Sequence, residues 1–183
     1  MSFVRPRHTD NFRQAMLVFF LSALSGCSAA YRPPSDESEV RKAAADALAL
    51  FVDSWNRAAA GDPQAPAAYG TQYWSDAELV DPSGKIWEGQ PAIVQMHVDL
   101  WNTAFKSSKV EGSVRKTRQL SPTLMIADFD MELSLFQQVP PGSAPANAVV
   151  KTHLKHVMEK RNGAWKVIAA QNTFESGPPA ARR

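Results

Sequence analysis

The spacing of apolar positions along this 183-residue chain changes period several times, and each change marks an element. Val40, Ala44, Ala47, Leu48, Phe51, Val52 and Trp55 recur at steps of three and four, which predicts a helix with one apolar face. Ser35-Asp36-Glu37 offers a cap and an acidic first turn for it, and Gly61-Asp62-Pro63 ends it. An alanine-rich piece, 64–69, predicts a second, short helix. Residues 73–81 alternate as a strand, Pro82-Ser83-Gly84 turns the chain, and 85–88 reads as the return. Gly89-Gln90-Pro91 opens another helix, where proline is tolerated in the first turn. Its buried stripe is Ile93, Leu100, Trp101, Ala104 and Phe105, with His97 on the same face.

From residue 109 the period becomes two. One strand is expected over 109–119 and a longer one over 123–137. In the second, Met125, Ala127, Phe129, Met131, Leu133 and Leu135 face one way, and Asp128, Asp130, Glu132 and Ser134 face the other. A sheet with one apolar and one polar face is covered on one side only. Residues 138–148 read as a loop. Asn162-Gly163 joins two last strands, 149–161 and 164–174, in a hairpin. The order predicts an α+β fold: a cone-shaped, curved antiparallel sheet wrapped around N-terminal helices, with a pocket between them.

The chain ahead of the first helix has a different character. Residues 1–13 carry Arg5, Arg7 and Arg13 against Asp10, and 15–26 are uncharged and mostly apolar. This is the pattern of a secretory signal peptide. The apolar run is shorter than the roughly 20 residues a membrane span needs. Leu24-Ser25-Gly26-Cys27 resembles the lipobox of bacterial lipoproteins, which implies cleavage before Cys27 and lipidation of its sulfur. Ser28 in the next position resembles the pattern sent to the outer membrane, facing the periplasm. The expected organisation is a signal peptide over 1–26, a lipid-anchored tether over 27–35, one domain over 36–176 and a tail over 177–183. Without residues 1–26 the basic and acidic counts fall from 20 and 18 to 17 and 17. A neutral chain with no basic stripe gives no reason to expect nucleic acid as a partner. Cys27 is the only cysteine, so the domain is expected to fold on its core, without disulfides.

Several short motifs recur in a telling order. They are Trp55-Asn56 with Gly61-Asp62, Asp76-Ala77 with Asp81-Pro82-x-Gly84, and Gly89-x-x-x-Ile93-x-x-x-His97. Lys160-Arg161-Asn162-Gly163-x-Trp165 and Gln171-Asn172-Thr173 follow. Together they resemble the SgcJ/EcaC group of the nuclear transport factor 2-like superfamily, whose relatives include SnoaL-like cyclases and ketosteroid isomerases. The resemblance implies a cone with an apolar cavity, commonly as a homodimer. It implies no single reaction, because members bind, isomerise, cyclise, dehydrate or only dimerise. The chain has no strand followed by G-x-G-x-x-G, so no dinucleotide cofactor is expected.

Strand alternation sorts the candidate site. With Asn162-Gly163 as a two-residue loop, His156 pairs with Ala169 and Leu154 with Gln171. That sends His156 and Gln171 inward and His153 outward, unless a one-residue bulge reverses part of it. Asp81 shares the apolar face of its strand, and His97 the apolar face of its helix. Trp55, Tyr73 and Trp87 are candidate aromatic walls. Asp81 with His97 or His156 could move a proton on a carbonyl compound, since burial raises a carboxyl pKa and imidazole titrates near neutrality. The competing expectations are that Asp81 caps its own turn and that His97 is a satisfied core histidine. No ligand spacing supports a metal. Three functions stay open: a small-molecule binder, an acid–base enzyme of isomerase, cyclase or dehydratase type, and a non-catalytic structural dimer.

Overall fold

The computed structural model describes residues 37–140, 142–143 and 149–175. The signal segment, Cys27, the tether and the tail lie outside the described residues. Three helices and six strands follow in the order α1 Glu37–Ala59, α2 Ala65–Gly70, β1 Tyr73–Val80, β2 Ile86–Glu88, α3 Gln90–Asn102, β3 Lys109–Ser121, β4 Leu124–Ser134, β5 Val149–Arg161 and β6 Ala164–Phe174. The chain is α+β, with the helices packed on one face of a curved sheet.

The apolar stripe of α1 is the buried one: Val40, Ala44, Ala47, Phe51 and Trp55 all lie in the core. The helix stops where glycine allows a left-handed residue. Gly61 has φ +91°, its N–H donates to the Ala58 carbonyl, and the Asp62 N–H donates to the Arg57 carbonyl. Two such crossed bonds satisfy carbonyls that the helix end would otherwise leave open. Asn56, next to Trp55, reaches across to β3. Its amide donates to the Val110 carbonyl at 3.0 Å and accepts from the Val110 N–H at 2.8 Å.

The six strands lie in the order β2-β1-β6-β5-β4-β3. All neighbours are antiparallel except β1 and β6, which run parallel, so the sheet is mixed rather than wholly antiparallel. The reason is connectivity: every antiparallel pair joins strands consecutive in the chain, whereas β1 and β6 are far apart in sequence and no short turn forces them to run in opposite directions. On β4 the alternation holds through Leu133, with Met125, Ala127, Phe129, Met131 and Leu133 buried. It fails at Leu135. Strand pairing ends at Ser134, Leu135 takes φ +56°, and its side chain is 61% exposed.

The β5–β6 hairpin follows the expected register from Arg161↔Ala164 to Met158↔Val167. A one-residue bulge at Ile168 then shifts it, so His156 faces Ala170, Lys155 faces Gln171 and Leu154 faces Asn172. A bulge places two residues of one strand against one of the other, and beyond it every side chain changes face.

Candidate functional site

The helices and the inner face of the sheet enclose a cavity of about 300 Å³. Phe51 and Trp55 of α1, Met96 and Leu100 of α3, and Met131, Leu133 and Leu154 of the sheet belong to its apolar wall. Its polar wall is short: Tyr69, Tyr73, His97, Asp81, Ser83, Thr152 and Asn172. The volume falls at the lower end of the roughly 300–1,000 Å³ typical of small-molecule sites.

Trp55 and Tyr73 stand in the wall as expected. The Trp55 indole donates to the Ser108 hydroxyl at 3.1 Å, which fixes the ring. It packs against Phe51, Phe105, Trp101 and His97 at centroid distances of 5.5–5.7 Å. Trp87 is not in the wall. It sits opposite Leu79 on β2, donates to Asp81 Oδ2 at 3.0 Å, and carries the Lys85 ammonium over its ring. The inward placement of Gln171 is overturned by the bulge at Ile168: Gln171 is exposed beside Lys155, and Asn172 lines the cavity in its place. The Asn172 Oδ1 is buried, with no hydrogen-bond partner among the described residues.

Asp81 reaches the cavity wall, but its carboxylate serves its own turn. Oδ1 accepts from the Ser83 N–H at 2.8 Å, the Ser83 hydroxyl at 2.6 Å and the Lys85 N–H at 3.1 Å. Together with the Trp87 indole these make four donors. Burial pushes the Asp81 pKa up, yet the four bonds outweigh burial and hold it below the ordinary aspartate value. The raised pKa expected for a carboxyl in an apolar pocket is therefore absent, because the turn stabilises the anion.

His97 is buried and fully engaged. Its Nδ1 lies 2.8 Å from the Ile93 carbonyl, one helical turn back, and its Nε2 lies 2.9 Å from the Tyr69 hydroxyl. Tyr69 in turn lies 3.1 Å from the Tyr73 hydroxyl. Burial lowers the His97 pKa to about 4, against the Ile93 bond, which pulls it up. Burial also raises both tyrosine pKa values. At neutral pH the chain Tyr73–Tyr69–His97 is thus uncharged throughout. Tyr69 was not anticipated. It closes the short helix α2, and its spacing of four from Tyr73 was the one available hint.

His156 does point inward, but it stops behind the cavity wall, against Tyr73 and Phe129 at centroid distances of 6.4 and 5.2 Å. Among the described residues neither ring nitrogen has a hydrogen-bond partner, and burial drives the pKa to about 3. Asp81 hydrogen-bonds to neither His97 nor His156. His153 faces outward, as expected, with Nδ1 2.8 Å from Asp130 Oδ1.

The outer face of the sheet carries a row of opposed charges: Lys151 with Glu132, His153 with Asp130, and Lys155 with Asp128. A larger, open groove of about 610 Å³ runs over this face, and its basic groups Arg115, Lys151 and His153 pair with Asp130 and Glu132. Among the described residues no three His, Cys, Asp or Glu side chains group as a metal site.

No family model and no curated protein matches the chain. Solved structures do. A protein with a cystatin-like fold from Caulobacter vibrioides superposes with a TM-score of 0.64 at 24% identity, over 78% of this chain and 94% of its own. A ketosteroid isomerase-like protein from Erwinia carotovora atroseptica gives 0.58 at 13% identity, over 78% and 100%. An NTF-2-like protein from Shewanella oneidensis gives 0.56 at 14%, over 73% and 98%. At these identities the likeness establishes the fold, the cone shared by nuclear transport factor 2-like and ketosteroid isomerase-like proteins.

Proposed function

We propose that the protein is a binding module for a small, largely apolar molecule, held in the cone. The observation that carries this reading is the cavity of about 300 Å³, walled by aliphatic and aromatic side chains and with few polar groups. Burying a ligand's apolar surface there is worth roughly 25 cal/mol per Å² before the losses of association. A structural dimer whose cone is filled by its own side chains would not keep that space.

The acid–base reading is the second one, and the fold's ketosteroid isomerase-like neighbour keeps it in view. It meets two obstacles in the site. Asp81 is an ionised turn cap without a histidine partner. His97 has its basic nitrogen occupied by Tyr69 and a pKa of about 4, which makes it a weak base near neutrality.

Around the domain, the reading includes what the N-terminal sequence suggests. Leu24-Ser25-Gly26-Cys27 supports lipidation of Cys27 and a place in a bacterial envelope, with the cone facing the periplasm. The motif set supports the SgcJ/EcaC grouping and a homodimer.

Native mass spectrometry of the purified full-length protein tests the binding reading. A reproducible apolar mass released on denaturation is expected. A protein that arrives empty and also takes up no added apolar probe would overturn the reading.

A further inference from the structure

The direction of the hydrogen bonds at one end of the cavity can be worked out atom by atom. The Ile93 carbonyl can only accept, so the proton of the neutral His97 ring must be on Nδ1. Nε2 is then a bare acceptor, and the Tyr69 O–H must donate to it. Having spent its one proton, Tyr69 can meet Tyr73 only by accepting, so the Tyr73 O–H donates to the Tyr69 oxygen. Every proton on the three side chains is committed. What they have left for a ligand is lone pairs.

We infer that the aromatic end of the cavity selects an apolar ligand carrying a hydrogen-bond donor, a hydroxyl or an N–H, and disfavours the carbonyl analogue. The inference rests on the binding reading above and names the ligand class for it. A carbonyl oxygen at this end would face acceptor against acceptor and lose its water without replacement. A hydroxyl would donate to the tyrosine pair. The polarity is set remotely, by a backbone carbonyl one turn back along α3, and His97 transmits it. His97 is therefore a positioning residue.

The test uses three small bicyclic probes that share one skeleton: tetralin, 1-tetralol and 1-tetralone. Affinities for the full-length protein are read by calorimetry or by Trp55-dependent fluorescence at neutral pH. The alcohol is expected to bind about tenfold more tightly than the ketone, the size of one well-made bond against one unmatched carbonyl. In His97→Leu the Tyr69 proton is released, so the alcohol-over-ketone preference, taken as a ratio within that variant, should shrink or reverse. Nitrogen-15 NMR of the wild-type imidazole gives an independent readout and should show the Nδ1–H tautomer. Equal affinities for alcohol and ketone, with tetralin bound, would overturn the inference and leave the binding reading intact. An Nε2–H tautomer would overturn it as well. Failure of all three probes to bind would remove the binding reading and this inference together.

Discussion

Asp81 gathers four hydrogen bonds within its own turn and from Trp87, and that changes what the carboxylate can do. It is held ionised and orients the chain where β1 hands over to β2; it has no proton to give at neutral pH. Asn172 has the opposite character: its Oδ1 is buried with no partner among the described residues, and the residue lines the cone. The neighbouring Gln171 is exposed on the outer face. Asn172→Leu should therefore change the affinity for a bound polar ligand by about three- to tenfold, the range of one net hydrogen bond. Gln171→Leu should leave it within twofold. Calorimetric titration of both variants checks this, and equal effects would mean that the strand faces are assigned wrongly. The sequence pointed to Gln171 because the hairpin register was extended without a break from Asn162-Gly163. Nothing in residues 164–174 announces that Ile168 will bulge, since Val167, Ile168, Ala169 and Ala170 are all apolar and suit either face. The alternation is silent where its residues do not alternate.

Among the elements, the helices and most strands could be read directly, because each has a one-sided apolar stripe of the right period. The stripe of α1 and the alternation of β4 are the clearest cases. The end of β4 was missed at Leu135, where an apolar residue of strand-like phase is turned out by a left-handed backbone. The site was harder to read, since Tyr69, His97 and Ile93 come from two helices whose contact no periodicity reveals. The join between α1 and β3 shows how an element is held in place. β3 is an edge strand, and Asn56 satisfies the backbone of Val110 much as a further strand would. Asn56→Leu should cost about 2 kcal/mol, two lost bonds with a backbone donor and acceptor left exposed to the core. Urea denaturation measures it. A loss under roughly 0.5 kcal/mol would show that the clamp is incidental.

At the scale of the whole molecule, two buried neutral histidines make stability depend on pH. His97 and His156 have pKa values near 4 and 3 in the fold, below the value of 6.5 for a free histidine. The unfolded chain therefore binds protons that the folded one refuses. Their neutral burial is tolerated fully above pH 6.5, and stability falls as pH drops from there towards 4 and 3. Each contributes about 1.4 kcal/mol per pH unit across that window, so the protein should be roughly 3 to 4 kcal/mol less stable at pH 5 than at pH 7.5. Urea midpoints at the two pH values test this, and an unchanged midpoint would contradict the buried, neutral state of both rings. The parallel seam between β1 and β6 has a consequence in time. β1 completes its pairing only with residues some ninety positions later, so the cone cannot close until the final strand has been made. Contacts so distant in sequence slow folding, because the intervening chain must be ordered before they form. Until then β1 presents an open edge, and a chain cut short before Ala164 should aggregate rather than fold into a smaller cone.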